Sequence, residues 1–347
     1  MKKVFLSLAL FVAGIGGTWA QNAGVKVGSW KAFDKIAKAD KLMEQRNSEA
    51  FEQANALYAE AEGILNADIE KAGAEQKTDK LAQLYYQNAQ LQNKMLTPIL
   101  NNAQQGLPFD TLAFCKRVDN IIASFNSSAE YNKKPNAKGK VKEDQMISVF
   151  SKVGIQSMLT LYYNCGAFMD AMGKKQESVD YFQKFVDLPK TSPVFNETER
   201  DSVYKANAKV YNTARYNLAL QNFLMKNWDK AIACCDEALK DTVGLHDLYL
   251  IKINAYGEKK DSVAWQRTLI EASQRTGKFT YLQNLLYYYI QNNKIDEASA
   301  LAQKLVTEDA GNKNSWYMKG AIELNVKKDY NAARQSFENA AWLSSAR

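Results

Sequence analysis

The chain carries one histidine, His246, and four cysteines, Cys115, Cys165, Cys234 and Cys235, among 347 residues. A histidine-based metal site or proton relay would have to be built from that single imidazole. No H-E-x-x-H, G-x-S-x-G or C-x-x-C segment occurs, nor a glycine loop that could cradle phosphate. Carboxylate pairs such as Glu258 and Asp261 arise by chance on charged helices. The sequence therefore points to no enzyme, no cofactor and no metal, and His246 is expected at a junction between helices. Four thiols are too few for a disulfide framework at this length. Cys234 and Cys235 would diverge by about 100° on a helix, so mostly buried free thiols are expected, although export would permit a Cys115–Cys165 bridge.

The elements that must position these side chains are helical. Hydrophobic residues make up 46% and charged residues 24%, enough for a folded core. Only 5 prolines and 17 glycines interrupt the chain, which favours helices over a sheet with many turns. Residues 1–20, MKKVFLSLALFVAGIGGTWA, join Lys2 and Lys3 to an apolar run and then to the small residues Thr18 and Ala20. That is the pattern of a signal peptide cleaved after Ala20, which predicts an exported, periplasmic protein with no transmembrane segment in the mature chain. No Cys stands at the cleavage point to accept a lipid. Removing Lys2 and Lys3 lowers the net charge from +7 to +5, too small a surplus to imply nucleic acid. The densest basic stretch, YNKKPNAKGKVKED at 131–144, reads first as a solvated loop and second as an anchor for an anionic surface.

Within NWDKAIACCDEALK, residues 227–240, Ala231, Cys235 and Ala238 are spaced four and three apart and share one helical face. The polar turn KNWD joins this helix to an earlier amphipathic run around Leu218 and Ala219, and Asp229 is placed to cap the second helix or oppose its dipole. The arrangement recurs. Trp316 and Gly320 precede Ala333, Phe337 and Ala340; Leu286 and Tyr289 precede Ala298, Ala302 and Leu305; Tyr162 and Gly166 precede Ser178, Phe182 and Phe185. First-helix positions 219, 253, 286 and 320 give steps of 34, 33 and 34, the mark of stacked helical hairpins. On these residues the chain resembles the tetratricopeptide repeat (TPR) family over residues 155–343. The resemblance implies an all-α, TPR-like α-solenoid of antiparallel hairpins wound as a right-handed superhelix. Three departures stand out: one extra residue in the last turn (KKDY), Trp265 where a small residue is expected, and the insertion LPKTSPVFNETERDSV. Ala54, Tyr58 and Ala61 repeat the four-and-three step upstream. The expected organisation is a leader at 1–20, an N-terminal helical region with degenerate repeats and the basic loop at 21–145, and an array of about five hairpins at 146–347.

In that family the first helix of each hairpin lines a groove that holds partner polypeptides. Carried over hairpin by hairpin, the groove positions are Tyr163, Tyr216, Phe223, Asn254, Gln283, Tyr287, Tyr317 and Asn325. They are rich in tyrosine and amides, which suits peptide or glycan contact. The Lys and Asn clamp by which some relatives hold a terminal carboxylate is not reproduced. The resulting expectation is a non-catalytic scaffold or adaptor in the bacterial cell envelope that binds a protein or peptide partner. The alternative is a TPR-based carbohydrate-binding or uptake protein, whose usual lipoprotein Cys and long insertions are missing. Trp342 and Leu343, in a last hairpin with no further polar helix to cover it, are candidates for a terminal contact, including a homodimer.

Overall fold

The computed structural model describes residues 24–240 and 244–345; the expected leader and its cleavage site at Ala20 lie outside them. Among the described residues, fifteen α-helices follow one another: α1 (Trp30–Met43), α2 (Ser48–Ala74), α3 (Thr78–Gln104), α4 (Thr111–Asn132), α5 (Gln145–Ala171), α6 (Lys175–Thr191), α7 (Glu197–Ala206), α8 (Ala208–Leu224), α9 (Trp228–Ala238), α10 (Leu245–Glu258), α11 (Ser262–Thr276), α12 (Thr280–Gln291), α13 (Ile295–Glu308), α14 (Lys313–Ile322) and α15 (Tyr330–Ser345). The chain is thus all-α, and its helices pack mainly on their neighbours in sequence. The described residues divide into two compact units, the first ending at Gln221 and the second beginning at Asn222. No helix among the described residues is long and apolar enough to cross a membrane.

Local chemistry sets the helix starts. Asn47, Asp110, Asp144, Asp261 and Asn312 each accept backbone N–H groups of the first turn that would otherwise lack partners. At α7 the cap is reciprocal: Asn196 accepts from the Glu199 amide while the Glu199 carboxylate accepts from that of Asn196. Asp229 stands in the first turn of α9, where its charge opposes the helix dipole, and pairs with Lys259.

The ends repeat as well. Gly173, Lys226, Lys260 and Asn293 each take a left-handed conformation after a helix. In each case the next residue donates its N–H to a carbonyl five residues back, as Asp261 does to Tyr256 and Lys294 to Tyr289. The turn with the extra residue differs: a π-helical turn, Glu323–Lys327, follows α14, and Asp329 reaches back six residues to Glu323. The inserted residue is absorbed by widening the helix end, so the left-handed residue, now Lys328, still closes the turn.

Packing follows the small and aromatic positions seen in the sequence. In the first unit, Ala54, Tyr58, Ala61 and Leu65 of α2 are buried against Ala32, Ile36 and Ala39 of α1. A Cβ at Gly166 would stand 2.8 Å from the buried ring of Phe182, so only glycine lets α5 and α6 close to this distance. In the second unit, Leu286, Ala298, Ala302, Met318 and Ile322 form a shared core of α12, α13 and α14. Gly320 sits under Phe337 as Gly166 sits under Phe182. Burial of a ring such as Phe182 stabilises by about 2 kcal/mol.

Of residues 131–144, read as a loop, Tyr131 and Asn132 end α4, and the rest contain a tight hairpin. Pro135 and Val141 form an antiparallel bridge, and Asn136 donates its amide to Lys140 and accepts from Gly139.

Candidate functional site

Helices α10, α11 and α12 of the second unit enclose a cleft of about 390 Å³. Its floor is apolar, made by the buried side chains of Ile253, Leu269 and Tyr281. One wall is aromatic: the rings of Trp265 and Tyr288 lie 5.2 Å apart at 51°, and Tyr287 stands beside them largely exposed. Asn254, Asn284 and Gln291, all exposed, supply neutral donors and acceptors around the mouth, and Leu250 completes the rim. No lining residue carries a charge.

The cleft exists because the repeat is broken there. At the place of Trp265 in the turn-to-helix register, α9, α13 and α15 carry Ala231, Ala298 and Ala333, all fully buried where the first helix of a hairpin crosses the second. An indole cannot occupy such a crossing. Trp265 is accordingly only half buried and packs on Tyr288 instead, with Gly257 leaving room beside its ring.

The ionic groups of these helices gather elsewhere. The Lys252 ammonium, almost fully buried, pairs with Asp236 at 2.7 Å and lies 3.8 Å from Glu271. Tyr249 donates to Glu271 at 2.6 Å; burial, and then that carboxylate, push its phenol up to about 12. His246 Nδ1 and the Tyr281 hydroxyl are 2.6 Å apart, which fixes the floor tyrosine from the start of α10, and burial raises that phenol above its ordinary range. His246 therefore holds a helix junction. The cleft is left to stack and to hydrogen-bond with neutral groups.

A scan against models of known protein families finds no match, and a search of curated proteins finds no relative. The helical-repeat character rests on the chain's own periodicity and packing.

Of the residues picked from the sequence, Asn254 and Tyr287 line this cleft. Gln283 is half buried on the same helix as Tyr287 but does not line it. Tyr317 is exposed on α14 with its ring 5.5 Å from that of Phe337, and Asn325 is exposed in the π-helical turn, donating to the carbonyl of Ala321. Phe223 packs against Trp228 at 5.1 Å. In the first unit Tyr163 is half buried between Phe182 and Phe185, and Tyr216 is half buried on α8. Trp342 is exposed and Leu343 half buried near the end of α15. Sequence reasoning passed over Trp265, Asn284, Tyr288 and Gln291. The signal is present in Trp265, whose departure from the small residue expected there marks a hairpin that opens.

A larger cavity of about 640 Å³ lies against α4, α5 and α6. Its polar groups already bind one another. Asp119 accepts from Tyr162, Tyr181 and Lys184, while Asp180 and Asp187 accept from Gln176 and Gln183. That network ties three helices together and leaves little for a ligand.

Proposed function

We propose that the chain is a TPR-like solenoid acting as a non-catalytic, exported scaffold in the cell envelope. It holds an uncharged, extended stretch of a partner polypeptide, with the cleft of α10, α11 and α12 as its principal contact. The observation that carries this reading is Trp265, a large aromatic at a position where α9, α13 and α15 have a buried alanine, beside Tyr287, Tyr288 and three amides with no charge among the lining residues. Aromatic faces accept apolar or proline side chains, and neutral amides pair with the N–H and C=O groups of an extended backbone. The test is selection from a displayed peptide library, followed by affinity measurement with Trp265→Ala and with Asn254→Ala plus Tyr287→Ala. Uncharged sequences should be enriched, and both variants should weaken binding at least tenfold with unchanged helical circular dichroism. Enrichment of charged peptides, or affinity indifferent to both variants, would refute the reading.

A second reading is a neutral oligosaccharide. Exposed aromatic faces beside amides also suit a sugar ring, whose C–H face stacks while its hydroxyls bond to amides. Calorimetric titration against an oligosaccharide panel separates the two, since heat with glycans and none with selected peptides would favour the sugar.

A further inference from the structure

We propose that the lysine hairpin at 135–141 and the exposed face at the start of α5 together form a docking surface for an anionic lipid bilayer. Two independent features coincide there. Four of the large apolar side chains that stand exposed fall within thirteen residues: Val141 (57% exposed), Met146 (45%), Val149 (51%) and Val153 (44%). The last three are spaced three and four apart, so they form one stripe along α5. The densest run of lysines in the chain, Lys133 to Lys142, leads directly into this segment.

The hairpin holds those lysines out. The Pro135–Val141 bridge and the Asn136 side chain, which accepts from the amides of Lys138 and Lys140, fix the tip. Lys133 donates to the carbonyl of Pro193, and Lys134 pairs with Glu130. Among the described residues, Lys138, Lys140 and Lys142 are exposed and form no ion pair. Of the nearby acids, Glu143 accepts from Ser148 and Asp144 caps α5 through the amides of Met146 and Ile147, while Asp79 lines the cleft beside Lys142. Lys138 and Lys140 therefore stand exposed at the hairpin, close in sequence to the apolar stripe, while Lys142 borders the neighbouring cleft.

A bilayer with anionic headgroups matches both features, because phosphates attract the lysines while the interfacial layer takes up Val and Met side chains. An acidic helix would need a groove for its own apolar face. The stripe lies on an open helix surface, and the neighbouring cleft of about 320 Å³ is lined almost wholly by polar residues, among them Lys26, Asp79 and Asn132.

The test is co-sedimentation of the purified protein with vesicles of phosphatidylcholine alone or mixed with phosphatidylglycerol. Binding is expected to the mixed vesicles only and to weaken with added salt. Each of Lys138→Gln, Lys140→Gln and Lys142→Gln should weaken it about fivefold. Val149→Ser with Val153→Ser should reduce it as well, without loss of helical circular dichroism. Equal binding to neutral vesicles, or binding that survives both sets of substitutions, would overturn the proposal. So would binding of soluble polyglutamate in place of vesicles, which would point to an acidic polypeptide.

Discussion

At the scale of single residues, whether a side chain is tolerated depends on what stands across from it. Gly166 and Gly63 are both helical glycines, yet a Cβ at Gly166 would press 2.8 Å from a fully buried ring and one at Gly63 would meet nothing within 4 Å. Gly166→Ala should therefore destabilise by about 1–3 kcal/mol through overpacking. Gly63→Ala should stabilise by about 1 kcal/mol through helix propensity. Urea unfolding of the two variants checks both signs. The thiols offer a second case. Cys115, Cys165 and Cys235 are buried free thiols and Cys234 is half buried. Burial pushes the Cys235 thiol up to about 12; burial, and then the neighbouring Cys115, raise that of Cys165. A thiolate reagent at pH 8 should accordingly label Cys234 in the native protein and reach the other three only after denaturation, as mass spectrometry would read.

At the scale of elements, the helix ends carry the repeat as clearly as the helix faces do. Lys226, Lys260 and Lys328 hold left-handed backbone that costs an L side chain about 1–2 kcal/mol, and Gly173 occupies the equivalent place without that cost. Lys260→Gly should raise stability by about 1 kcal/mol in thermal unfolding, with no change in helical content. The π-helical turn makes the complementary point. It keeps Glu323 nearly buried, accepting from Ser336 at 2.7 Å and pairing with Lys319 at 3.3 Å. Ser336→Ala would leave one carboxylate oxygen without its donor and should cost about 1–3 kcal/mol, measured by the same unfolding experiment.

At the scale of the whole molecule, buried tyrosines tie stability to pH. Burial, and then an aspartate partner, raise the phenols of Tyr58, Tyr162 and Tyr181 well above their ordinary value of 10.0; burial does the same for Tyr211. The native state keeps these protons at pH values where the unfolded chain loses them. Their contribution is thus full below about pH 10 and falls as pH rises beyond it. Phenolate absorbance from these tyrosines should appear together with loss of helical circular dichroism in an alkaline titration; ionisation before unfolding would contradict the burial argument. Much of this architecture was legible in the residues: the all-helical class, the four-and-three spacing of Ala54, Tyr58 and Ala61, the pairing of Gly166 with Phe182, and the extra residue before Asp329. These are local facts, because a helix places residues three and four apart on one face wherever it occurs, and a turn closes within five or six residues. The cleft was not legible in the same way. Asn254, Trp265 and Tyr287 come from three successive helices, and only the way those helices pack decides that they meet while Gln283, one turn from Tyr287, turns aside. The sequence by itself determined where helices run and which faces they bury; the tertiary structure alone decided that one mismatched indole opens a neutral, aromatic cleft, because that depends on contacts between helices and not on spacing within one.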